Sequence, residues 1–169
     1  MRTGKSDLNG AFTLVELLVV LALIAAICAI AAPSFSHFAK GRTEDSEVRR
    51  FLSLTHYGQS RAVSEGVPML LWIDPQGGAY GLEQEPGYTD GSDTNAVQYD
   101  IGKDLRIDVV RPFNAARPAH TAKNQPAIRF MPDGAADSGS VTGVTLQEGG
   151  DKPVMIVKTA NGLSYEVKN

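Results

Sequence analysis

Apolar residues dominate the N-terminal part of the chain. Residues 12–32 contain only two polar side chains, Thr13 and Glu16, and the residues before them are mostly polar. A helix of this length is about 30 Å long at about 1.5 Å per residue, which matches the hydrocarbon core of a bilayer. The pattern therefore predicts a membrane-spanning helix at residues 12–32, preceded by a short polar segment at residues 1–11.

Beyond this run the apolar positions recur every three or four residues, which is the spacing of one helical face. They are Phe35, Phe38, Val48, Phe51, Leu52, Thr55, Ala62 and Val63. Pro33 predicts either the end of the helix or a kink in it. Gly66 and Pro68 signal its end. We expect one long helix over residues 13–64. Its second part belongs to an amphipathic segment, residues 33–66, which includes the helix-stop signal and packs against a sheet.

After Pro68 the period shortens to two, which is typical of half-buried strands. The predicted strands are residues 69–73, 79–82, 105–109, 127–131, 141–147, 154–159 and 163–167. Asn161-Gly162 predicts a tight turn between the last two. Strands that follow a single long helix, without βαβ alternation, predict an α+β fold in which residues 67–169 form a mainly antiparallel β-rich head domain.

Composition excludes several classes of protein. The 169 residues leave room for one small domain beyond the apolar run, and the net charge of −3 argues against a basic nucleic-acid binder. The only cysteine, Cys28, lies within the run, so the head domain has no disulfide. Charge falls in two blocks, −5 over residues 83–104 and +4 over residues 106–129. The blocks are read either as ordinary solvated surface or as opposite faces that meet different neighbours.

Candidate chemistry is sparse. His37, His56 and His120 are widely separated, and neither a catalytic motif nor a phosphate-binding glycine loop is present. We therefore predict that the chain is not an enzyme and needs no cofactor. One segment with hard oxygen ligands suggests a weak calcium loop, although it lacks the EF-hand order and a solvated loop is favoured. Its ligands would be Asp90, Asp93 and Asn95.

Glu16 needs a partner, because a carboxylate within an apolar membrane helix costs a few kcal/mol. The sequence Ala11-Phe12-Thr13-Leu14-Val15-Glu16-Leu17 resembles the prepilin motif of type IV pilins and type II secretion pseudopilins. The resemblance implies that a prepilin peptidase removes residues 1–11 as a leader and that the new N-terminus is methylated at Phe12. It also implies that Glu16, then the fifth residue, neutralises the N-terminal amine of a neighbouring subunit during filament assembly.

The sequence departs from that motif at one position. The family usually has Gly directly before the Phe, whereas here Ala11 lies between Gly10 and Phe12. The peptidase either cleaves after Ala11, which keeps Glu16 fifth and is the interpretation we favour, or cleaves after Gly10, which makes it sixth.

Two further segments, residues 60–66 and 128–134, resemble the GspH/FimT class of minor pseudopilins and minor pilins. This resemblance implies a pilin-like fold with a long N-terminal helix packed on the head. It also implies a minor pseudopilin of a type II secretion system, anchored once in the inner membrane with a periplasmic head. Its partners would be other major and minor pseudopilins and the secretion platform.

The alternative is a type IV pilus minor pilin of the FimT kind that binds DNA during uptake. Four cations without an intervening acid would make the phosphate contacts. They are Arg111, Arg117, Lys123 and Arg129. The negative net charge favours the reading without nucleic acid.

Overall fold

The structure is a computed structural model. It describes residues 14–89, 91–112, 119, 121, 123–150 and 152–168, and within the first helix the side chains of residues 14–27 and 44–65. This helix, α1, covers Leu14–Glu65 and continues through Pro33, as predicted. The chain forms two compact units, Met1–Ala39 and Lys40–Asn169.

Eight strands follow α1 in the described chain, and every pairing between them is antiparallel. They are β1 (Met69–Asp74), β2 (Ala79–Gln84), β3 (Val97–Asp100), β4 (Leu105–Val110), β5 (Ala127–Phe130), β6 (Gly143–Glu148), β7 (Val154–Lys158) and β8 (Tyr165–Lys168). Sheet A has the order β3-β2-β1-β5 and sheet B the order β4-β6-β7-β8. The α+β pilin-like fold is confirmed, with two four-stranded sheets where one was expected.

Among the described residues, the second unit has two apolar core clusters, and one of them contains residues of the helix and of both sheets. Phe51 of α1 meets Tyr80 of sheet A edge-on, with 5.2 Å between ring centroids. Gly58 lets the helix approach sheet A closely, because a Cβ there would lie 2.8 Å from Leu82 Cδ1. Sheet B contributes Ile107, Val144, Leu146, Ile156 and Tyr165 to the same core.

Local turn chemistry explains how the elements end. Gly66 follows the last helical residue with a φ of 70°, and its N–H donates to the Ala62 carbonyl at 3.1 Å. This is the left-handed cap that glycine adopts without strain. Gly162, in the predicted turn between β7 and β8, has a φ of 72°, which agrees with the tight-turn prediction.

Two details differ from the sequence predictions. The prediction missed strand β3, which lies in the acidic segment of the chain. Val63 was expected to pack on the sheet but is 55% exposed, whereas its neighbour Ala62 is fully buried. The helical face that packs on the sheets therefore runs through Ala62 and leaves Val63 on the solvent side.

Candidate assembly surfaces

The first surface is the N-terminal part of α1. The side chains of residues 14–27 are all exposed, including Leu14 at 77% and Ile27 at 63%. Glu16 lies in the first turn of the helix among these apolar side chains. The predicted cleavage residues Gly10 and Ala11 and the predicted methylation residue Phe12 lie outside the described residues.

Part of the predicted membrane helix at residues 12–32 also lies outside the described portion. Within the portion that the structure describes, no helix has both the length and the apolar character needed to cross a membrane.

The second surface is the loop between β2 and β3, described at residues 85–89 and 91–96, which a buried arginine fixes to the helix. Arg61 of α1 is 4% exposed. Its Nη2 donates to Asp93 Oδ1 at 2.9 Å and its Nη1 to Asp93 Oδ2 at 3.1 Å. Its Nε donates to Glu65 Oε1 at 2.7 Å, and Nη1 also reaches the Asn95 carbonyl at 3.2 Å. The guanidinium therefore binds two carboxylates, each with two hydrogen bonds.

These contacts shift the pKa values of all three groups. The hydrogen bond to Glu65 is the largest influence raising the pKa of Arg61. Hydrogen bonding to Arg61 likewise lowers the pKa of Glu65. Burial opposes ionisation of Asp93, but hydrogen bonds from Arg61 and from the Asn95 and Gln84 backbone outweigh it, so its pKa lies below the usual value. The cluster is therefore most stable when both carboxyls are ionised.

A second ion pair holds the start of the same loop. Arg129 of β5 donates through Nη2 to Glu85 Oε1 at 2.6 Å, and its Nη1 lies 3.5 Å from Asp137 Oδ2. The Glu85 N–H also donates to the Pro68 carbonyl at 2.9 Å. The loop is thus tied at one end to sheet A and at the other to α1.

The predicted calcium ligands take part in this network instead. Both Asp93 oxygens accept from Arg61, and they also accept from the N–H groups of Gln84 and Asn95, each at 2.9 Å. Asp90 lies outside the described residues. Among those that are described, no group of three or more His, Cys, Asp or Glu residues is arranged to hold a metal ion. Asp93, one ligand of the possible calcium loop, is thus engaged in an ion pair with Arg61.

The predicted DNA-contacting cations do not act as one group. Arg111 and Lys123 are exposed and line a cavity of about 470 Å³. Arg129 is committed to Glu85 and Asp137. Arg117 lies outside the described residues. Of the three cations that the structure describes, Arg111 and Lys123 therefore share a surface.

Sequence reasoning missed the polar contacts of the buried helix face. Glu47 is 4% exposed and accepts from the Tyr80 hydroxyl at 2.6 Å and from Arg50 Nη1 at 3.0 Å. Burial, and then this hydrogen bond, raises the pKa of Tyr80. Glu47 and Arg61 lie on the face of Phe51, Leu54 and Gly58, at helical spacing. The sequence signal for these contacts was the position of Glu47 and Arg61 on an otherwise apolar helical face, because a buried charged side chain needs a partner.

Two family models match this chain. Residues 47–162 match the model of the type II transport protein GspH, and residues 8–32 match the model of the prokaryotic N-terminal methylation motif. No curated protein sequence matches the chain.

Solved structures resemble the chain in fold. Two structures of the minor pseudopilin EpsH from the type II secretion system of Vibrio cholerae are 16% and 18% identical, each with a TM-score of 0.51. They cover 75% and 76% of this chain, which in turn covers 96% and 94% of theirs. The type IV minor pilin FimU of Pseudomonas aeruginosa is 9% identical with a TM-score of 0.55, covering 78% of this chain and 92% of its own. Because the GspH model spans more than half of the sequence, the chain belongs to the GspH family of type II transport proteins.

Proposed function

We propose that the chain is a minor pseudopilin, a structural subunit of a type II secretion pseudopilus that takes part in protein export across the outer membrane. The observation that carries this proposal is the presence of both family matches in one chain, the methylation motif at residues 8–32 and the GspH match at residues 47–162. On this proposal the protein works by assembly, without catalysis and without a cofactor.

The N-terminal segment is the proposed anchor. A prepilin peptidase removes residues 1–11, Phe12 becomes the methylated N-terminus, and residues 12–32 hold the protein in the inner membrane with the head in the periplasm. The exposed apolar side chains of residues 14–27 support this role, because such a surface is costly in water and favourable in lipid or in a helix bundle.

Glu16 is the proposed assembly residue. Its carboxylate lies in the first turn of α1 among exposed apolar side chains, and its position within the matched methylation motif supports this role. The N-terminal amine of a neighbouring subunit would supply the opposite charge. This pairing gives assembly a direction, since the acid of one chain needs the amine of another.

The head domain presents the proposed contacts with other major and minor pseudopilins and with the secretion platform. The ion pairs of Arg61 and Arg129 fix the loop of residues 85–96 to the scaffold. A loop that is ordered before binding loses less conformational entropy on association. This supports a role of the head domain in binding other pseudopilins and the secretion platform.

Replacement of Glu16 tests the proposal in the native host. Glu16→Leu should still insert into the inner membrane, because removal of a charge eases insertion, but it should fail to co-purify with the other pseudopilins, and exoprotein levels in the culture medium should fall. Glu16→Asp is the matched control, since it keeps the charge and should retain at least part of the activity. Normal export by a strain that lacks the protein altogether would contradict the proposed function.

The second candidate is a DNA-binding minor pilin, favoured by the shared surface of Arg111 and Lys123. We expect only weak, salt-sensitive binding, because two cations make few phosphate contacts and the net charge is −3. Fluorescence anisotropy with duplex DNA near physiological salt distinguishes the candidates. Submicromolar affinity that is lost in Arg111→Glu would support the DNA-uptake pilin instead.

A further inference from the structure

The face of sheet A opposite the Phe51 core carries Trp72, which packs against a small buried cluster of Leu70, Ala119 and Ala127, and beside it lies a cavity of about 330 Å³. Its lining includes Trp72, Asp74, Glu83, Pro86, Gln98 and Lys123. Trp72 pairs across the sheet with Gly81. A Cβ at Gly81 would lie 2.5 Å from Trp72 Cζ2 and 2.7 Å from Cε2, so the indole ring lies directly over the glycine backbone. The absence of a side chain at Gly81 is what makes room for the ring.

The two carboxylates of the cavity differ in their hydrogen bonding within the protein. Asp74 Oδ1 accepts from the N–H groups of Gln76 and Gly77, so this carboxylate stabilises its own turn. The Glu83 carboxylate has no hydrogen-bond partner among the described residues. Burial raises its pKa, and the positive charge of Lys123 partly opposes that shift. A half-buried carboxylate of this kind gains most from a cationic partner.

The wall that contains Pro86 is held in place before any ligand arrives. Pro86 directly follows Glu85, whose carboxylate is 2.6 Å from Arg129 Nη2. The other end of the loop is fixed by the pair between Arg61 and Asp93. The wall that contains Pro86 is therefore preorganised.

We propose that this cavity binds a basic side chain, arginine above all, presented by a partner protein. A planar guanidinium can lie against the indole of Trp72 while it donates hydrogen bonds to the Glu83 carboxylate, and both contacts favour a cation over a neutral group. Charge supports this choice, since the lining has two carboxylates, Asp74 and Glu83, and one ammonium group, Lys123. The inference goes beyond the role in secretion and does not depend on it.

Trp72 provides the assay, because it is the only tryptophan of the chain. The full-length protein in detergent micelles is titrated with N-acetyl-arginine amide while tryptophan fluorescence is recorded. N-acetyl-citrulline amide, which has nearly the same shape without the charge, is the matched probe. We expect a saturable change with the arginine probe and binding at least about tenfold weaker with the citrulline probe.

Three variants test the assignment of the charges. Glu83→Gln should weaken binding of the arginine probe at least about tenfold, and Lys123→Gln should strengthen it by removing a like charge. Glu166→Gln on β8, outside the cavity lining, should bind like the parent protein. Thermal unfolding of each variant shows whether the fold is retained.

Several results would overturn the inference. Equal binding of the arginine and citrulline probes would make the cavity a site for neutral ligands. The same conclusion would follow if neither probe bound and the neutral disaccharide diacetylchitobiose bound saturably. The opposite response, with Glu83→Gln binding tighter and Lys123→Gln weaker, would make it an anion site. No saturable fluorescence change with the arginine probe would mean that it does not bind basic side chains.

Discussion

Replacement of Arg61 by alanine should destabilise the head domain by about 3 kcal/mol. The side chain of Arg61 is 4% exposed, and that of its partner Asp93 is 7% exposed. Removal of the guanidinium leaves the Asp93 carboxylate buried without a cation, and loss of one member of a buried ion pair costs about 3–5 kcal/mol. Asp93 would keep its hydrogen bonds from the N–H groups of Gln84 and Asn95, which places the cost near the lower limit.

The pair with Glu65 adds little to this figure. The Glu65 side chain is 29% exposed, and water can solvate it once Arg61 is absent. Solvent-accessible pairs of this kind contribute less than about 1 kcal/mol. Arg61→Lys should lie between the parent and Arg61→Ala, because lysine keeps the charge but cannot bind both carboxylates through a planar fork.

Urea unfolding of the unit Lys40–Asn169, followed by Trp72 fluorescence, measures the difference. The matched control is Arg49→Ala, an exposed arginine on the same helix, whose substitution should change the free energy of unfolding by less than about 0.5 kcal/mol. Hydrogen exchange should also accelerate at the Gln84 and Asn95 amides, which donate to Asp93. A cost for Arg61→Ala equal to that of Arg49→Ala would refute the reasoning.

The remaining predictions concern the stability of the head domain at low pH and the proteolytic processing of the N-terminus. In the folded protein the pKa values of Asp93 and Glu65 lie below their usual values of about 3.9 and 4.3. The contribution of these carboxylates to the free energy of unfolding is therefore fully present above about pH 5. It is lost as the pH falls through the folded pKa values. Urea unfolding between pH 7 and pH 3 should show this loss in the parent and a shallower one in Arg61→Ala; parallel curves would exclude the cluster as its cause. Mass spectrometry of the membrane-inserted protein should find a chain that begins at N-methylated Phe12, and an N-terminus near Pro33 would point to signal peptidase instead.

Side-chain periodicity was sufficient to predict most of the fold. The segment at residues 105–109 alternates apolar and polar side chains, and β4 occupies Leu105–Val110 with the same alternation in burial. Strand β3 was not predicted because Val97–Asp100 is only four residues long and lies among turn-forming and acidic residues. Its pairing with β2, where Tyr80 faces Tyr99, is a long-range contact that the local sequence does not encode.

The sequence did not indicate the contacts that Arg61 and Asp93 make. Residues 60–66 were recognised by family resemblance, yet nothing local indicates that Arg61 binds Asp93, 32 positions away. The same holds for Asp93, whose neighbours suggested a calcium loop. Spacing identifies a set of possible ligands, whereas the tertiary fold decides which cation reaches them.

The distribution of charge on the folded protein differs from the distribution of charge along the sequence. The acidic block at residues 83–104 and the basic block at residues 106–129 were consistent with ordinary solvated surface or with two opposite faces. In the structure Glu85 of the first block binds Arg129 of the second, with 2.6 Å between Oε1 and Nη2. Asp93 is also neutralised, by Arg61 of the helix. These ion pairs neutralise residues of both blocks and use them to hold elements of the head domain together. The acidic block still presents the Glu83 carboxylate beside Trp72, and the arginine site proposed above would use the shape of this cavity together with that single charge.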